Sequence, residues 1–138
     1  MAWSVLPRAR GRTLAFAILL AFSGAGLASD RGFPFERALF LDAPPIGKSR
    51  RIPNLEVATD GQATIDLWCA SGSGQVTISG DGIAIAIGPM VETQCAPERL
   101  RADDELREAL AAVTNWRREG NAVVLTGGKT LRYLLETH

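Results

Sequence analysis

Hydrophobic positions along this chain follow one period, then another, then return to the first. Leu55-Glu56-Val57 alternates and runs into the turn pair Asp60-Gly61. From Gln62 to Cys69, Ala63, Ile65, Leu67 and Cys69 share one face, while Thr64, Asp66 and Trp68 share the other. Such period-2 alternation predicts a half-buried strand. Ser71-Gly72-Ser73-Gly74 lacks any apolar period and predicts a loop. Val76 and Ile78 mark another strand, and Asp81-Gly82, inside the tight Gly80-Asp81-Gly82 turn, is a strong hairpin signal. Beyond it Ile83, Ile85 and Ile87 hold one face against Ala84 and Ala86, and Gly88-Pro89 ends the strand.

After Cys95 the period becomes helical. Pro97 suits a helix start, and Asp103, Asp104 and Glu105 bring negative charge to a first turn. Leu106, Leu110 and Val113 recur at helical spacing with Ala102 and Ala109 beside them, predicting about three turns from near Asp103 to near Val113, preceded by a shorter turn over 97–101. Arg107 and Glu108 belong to the solvated face. Strands then resume at Asn115-Trp116-Arg117, at Val123-Val124-Leu125 and at Leu131, Tyr133 and Leu135, separated by Glu119-Gly120-Asn121 and Gly127-Gly128. About seven short strands and one helix predict a mainly β, α+β domain: a small antiparallel sheet or a partly closed β-barrel.

The first residues read differently. Arg8, Arg10 and Arg12 precede an apolar run from Leu14 to Phe22, and small residues lead to Ala28. This is the layout of a secretory signal peptide over 1–28, cut after Ala28. The run is shorter than the ~20 apolar residues a spanning helix needs, so no stable membrane span is expected after removal. No cysteine lies near the cut to accept a lipid anchor, and the expected location is the periplasm or the exterior. Residues 29–53 form an irregular segment punctuated by Pro34, Pro44, Pro45, Gly47 and Pro53, with a short strand over Ala38–Leu41; 54–138 is the β-rich domain. Lys48, Arg50 and Arg51 make a basic cluster, read as a solvated loop or as a contact for lipid headgroups or a surface polymer.

Charge narrows the partners. The whole sequence is neutral, but loss of the three leader arginines leaves twelve basic residues against fifteen acidic, a net charge of −3. A nucleic-acid binder would carry the opposite balance. The two cysteines, Cys69 and Cys95, are expected to pair as a disulfide in an oxidising compartment. They make a poor metal site, since the one histidine is the terminal His138, and no metal or cofactor is expected. The same histidine is too remote for a Ser-His or Cys-His nucleophile.

Thr126-Gly127-Gly128-Lys129-Thr130 has Val123 where a phosphate loop requires glycine. Gly72-Ser73-Gly74 is preceded by Ser71 and is no nucleophile elbow. Asp66, between Thr64 and Trp68 on its strand face, is the best carboxylate for acid–base work; the plainer reading is a solvent-facing acid. Trp68, Trp116 and Tyr133 could line a ligand cavity, or simply pack the core.

Residues 105–116 (Glu-Leu-Arg-Glu-Ala-Leu-Ala-Ala-Val-Thr-Asn-Trp), then Glu119-Gly120-Asn121, Val123-Val124-Leu125 and Leu131-Arg132-Tyr133, resemble the end of a META domain, the family of exported heat-shock-associated HslJ-type proteins. Cys69 and Cys95 sit where that family has two cysteines bracketing a hairpin. Cys69 is flanked by Trp68 and Ala70 where the family has Gly-Cys-Asn, and Val91-Glu92-Thr93-Gln94 replaces a threonine-led approach to the second cysteine. The resemblance spans Leu55 to Leu135 and implies a barrel-like domain with one helix, linked to envelope stress; the family has no established catalytic residues, so the resemblance supplies no active site. The expectation is a non-enzymatic envelope-maintenance domain acting through an envelope protein or surface component. The alternative is a barrel that binds a small hydrophobic ligand.

Overall fold

The structure is a computed structural model that describes Gly11 and residues 32–136. The expected signal peptide, apart from Gly11, and His138 lie outside the described residues. Eight strands and one helix follow in order: β1 (Ala38–Leu41), β2 (Asn54–Val57), β3 (Gln62–Asp66), β4 (Ser71–Ser79), β5 (Gly82–Val91), α1 (Pro97–Ala111), β6 (Asn115–Glu119), β7 (Ala122–Thr126) and β8 (Leu131–Leu135).

Every strand pairs antiparallel with the next in sequence, and β8 returns to β1 through Leu39↔Leu135 and Leu41↔Tyr133. The wall is not zipped all the way round. β5 and β6 share a single register pair, Gly82↔Asn115, so β5 has no strand on that side for most of its length. The β-barrel expectation is therefore corrected to a small antiparallel sheet, rolled until its edge strands meet and splayed along β5/β6. α1 leaves the far end of β5, packs against that strand and returns the chain to β6. A helix laid along an incompletely paired edge shields it from water and from other strands.

Alternation dictates the core. Leu39, Leu55, Val57, Ile65, Val123, Leu125 and Tyr133 are all at most 1% exposed and join Leu110 of α1 in one cluster. Each such aliphatic side chain stabilises the fold by about 1.5–3 kcal/mol relative to exposure.

Three departures from the expected elements have physical causes. Ser71–Gly74 is the start of β4, not a loop, and β5 continues through Gly88-Pro89 to Val91. Between Gly72↔Met90 and Gly74↔Ile87 the register shifts, which leaves an extra residue on β5. Proline, with no N–H to donate, is tolerated in a sheet at such a bulge. Second, α1 is one continuous helix from Pro97, so Asp103 lies mid-helix and Glu98 is the acid of the first turn. Third, β3 ends at Asp66, and Leu67, Trp68, Cys69 and Ala70 are all buried. The parity that would have turned Trp68 outward does not extend past the strand.

Candidate functional site

The helix-capped end of the sheet gathers most of the specific side-chain chemistry. Its foundation is the turn from Leu67 to Ala70, closed by Leu67 N–H donating to the Ala70 carbonyl at 2.8 Å. Buried backbone N–H groups need acceptors, and Asp103 of α1 supplies them. Cys69 N–H donates to both carboxylate oxygens at 3.0 Å, and Ala70 N–H donates to Oδ2 at 2.7 Å. Asp103 is only 1% exposed. Cys69 and Cys95 form a disulfide with Cα atoms 6.2 Å apart, tying the same turn to the segment that enters α1. Thr93 Oγ1 donates to the Cys69 carbonyl at 3.2 Å.

Arg51 holds the turn from the other side. Its guanidinium donates to the Ala70 carbonyl at 3.2 Å and to Ser71 Oγ, and it pairs with Asp66 at 3.6 Å. Within the basic cluster, Lys48 and Arg50 are exposed, while Arg51 is half-buried and structural. The Asp66 carboxylate faces a cation rather than an apolar wall, and Trp68 has left its face for the underside of the helix.

Above this turn runs a surface groove between α1, the chain after β1 and the β7–β8 turn. An apolar compartment of about 210 Å³ is lined by Leu41, Ile46, Trp68, Leu106 and Leu131 among others. A second, of about 270 Å³, is bordered by Glu108, Ala112 and Gly128. Glu105, Ala109 and Lys129 line both. Gly127 lets the β7–β8 turn come this close to the helix end: a Cβ there would stand 2.7 Å from Thr114 N, and its φ of +145° is one L residues rarely adopt.

Of the three aromatics expected at a ligand cavity, Trp68 lines this groove and is 5% exposed. Trp116 packs edge-on against Phe33 with ring centroids 5.3 Å apart, and its Nε1–H donates to the Gly80 carbonyl at 2.9 Å. Tyr133 is 1% exposed on the core side of β8, and burial pushes its phenol pKa well above the ordinary value. Among the described residues, no group of three or more His, Cys, Asp or Glu is placed to hold a metal, and no helix is long and apolar enough to cross a membrane. Sequence reasoning missed Asp103 and the groove. An acid between Ala102 and Leu106, on the helix's apolar face, was the available sign of the first.

Residues 38–137 match the family model of the META domain. A solved NMR structure of a protein is similar at a TM-score of 0.57 and 20% identity, covering 72% of this chain and 88% of that one. At that identity the likeness speaks for the fold. No curated protein matched the chain.

Proposed function

We propose that this chain, which belongs to the META-domain family, is a non-enzymatic exported domain that serves envelope maintenance through protein contacts made at the α1 groove. The observation that carries this reading is an apolar, Trp68-floored groove on the outside of a core whose inward positions are filled. Asp66, the best acid for catalysis, is engaged by Arg51. The kinship to HslJ-type proteins and the link to heat stress belong to the same proposal. A small ligand held between the strands is less favoured, since Leu39, Leu55, Ile65, Val123 and Leu125 pack on one another there.

Cell fractionation combined with site-specific photo-crosslinking tests the reading. A crosslinker at Lys129, on the groove rim, is expected to give discrete protein adducts in the envelope fraction. The same group at Thr77, on the outer face of β4, should not. Cytoplasmic retention, or identical adducts from both positions, would sink the proposal.

A further inference from the structure

Resting on that reading, the groove's chemistry specifies its occupant. We infer that it takes an extended segment of a partner protein, one that lays a large apolar side chain over Trp68 and a lysine or arginine beside Glu105 and Glu108.

Each compartment by itself is sized for one side chain, below the range of pockets that enclose a drug-sized ligand. The two compartments measure about 210 and 270 Å³. Pockets that enclose drug-sized ligands run to roughly 300–1,000 Å³. A compartment of the smaller size suits one anchoring side chain, the usual unit of a protein–protein hot spot.

Charge argues for a basic neighbour to that anchor. Glu105 and Glu108 are exposed and three residues apart on α1, where like charges repel. None of the ion pairs among the described residues engages either glutamate or Lys129. A cation seated on the helix side relieves the repulsion, while Lys129 stands on the opposite rim as the charge that a misplaced basic residue would meet. Ala109 and Ala112 line the same compartment with nothing larger than a methyl group. Complementarity of this kind sets partner choice more than raw affinity.

The probes are end-capped pentapeptides of sequence glycine-leucine-glycine-lysine-glycine, with counterparts in which glutamate replaces lysine or glycine replaces leucine. Binding is read from the Trp68 indole and the Ala109 and Lys129 amide signals by NMR. The lysine peptide is expected to bind about 2–5-fold more tightly than the glutamate peptide, an exposed-pair effect. Loss of leucine should abolish binding. Glu105→Lys/Glu108→Lys should reverse the charge preference, and Lys129→Glu should strengthen it.

Equal response to the lysine and glutamate peptides, or no response to either, would overturn the inference. So would perturbation of these signals by dodecylphosphocholine micelles alone, or a concentration-dependent dimer that covers the groove rim at Glu105, Glu108 and Lys129. Specific envelope crosslinks from Lys129 without peptide binding would leave the proposed function standing and reject only this partner chemistry.

Discussion

A buried carboxylate costs several kcal/mol unless its charge is met, and at Asp103 the Cys69 and Ala70 N–H groups meet it. Removing the side chain leaves two buried donors without acceptors, each costing about 1–3 kcal/mol. Asp103→Ala is therefore expected to lower stability by about 2–6 kcal/mol in urea unfolding. Asp103→Asn should cost less, because its amide oxygen still accepts. Equal stability of Asp103→Ala and the parent chain would remove the carboxylate from its role as latch. Tyr133 allows a second test at this scale, as the one tyrosine in the chain. Burial raises its folded-state pKa, so its contribution to stability is fully present below pH ~10, the unfolded value, and is lost as pH rises from there through the folded pKa. Absorbance titration should show no phenolate at the ordinary midpoint until the domain unfolds in alkali. Reversible ionisation near pH 10 in the folded state would contradict the burial.

At the scale of elements, the β4–β5 pair depends on its missing side chains. A Cβ on Gly74 would lie 2.6 Å from the Ala86 carbonyl oxygen and 2.9 Å from Ile65 Cδ1. Gly74→Ala is expected to destabilise the domain by about 1–3 kcal/mol, the usual cost of overpacking, measured by thermal unfolding; an unchanged midpoint would mean the strands can part freely there. This region also shows what the sequence could and could not disclose. Alternation at Ala63 and Ile65, and at Ile83 and Ile85, made β3 and β5 legible because each has one buried face. The Ser71–Gly74 stretch carries no such signal, as its fit is set by backbones approaching across a bulge. Asp103 was legible as a helix residue, but the N–H donors it accepts from lie more than thirty positions upstream. Trp68 was misplaced because parity holds only while a strand lasts. The groove was invisible for a related reason: Leu41, Trp68, Leu106 and Leu131 converge only once the sheet has rolled up.

At the scale of the whole molecule, the question is how one helix is kept on a sheet that pairs fully everywhere except beside it. Two devices act on the same turn, one covalent through Cys69–Cys95 and one polar through Asp103. The disulfide spans a sequence separation of 26, and the chain-entropy model assigns a loop of that size about 3.5 kcal/mol. A Cys69→Ala/Cys95→Ala chain should lose about that much in urea unfolding while keeping its strand circular dichroism, because Leu106 and Leu110 still anchor α1 in the core. Once the disulfide is gone, the turn is freer to leave the helix, so the carboxylate has less ordered structure left to hold. Adding Asp103→Ala in that background should then cost less than it does in the oxidised chain, a coupling of at least about 0.5 kcal/mol in a double-mutant cycle. Strict additivity would mean that staple and latch secure different parts of the molecule. The Trp68 floor of the groove, one residue from Cys69, would then be held in place by neither acting through the other.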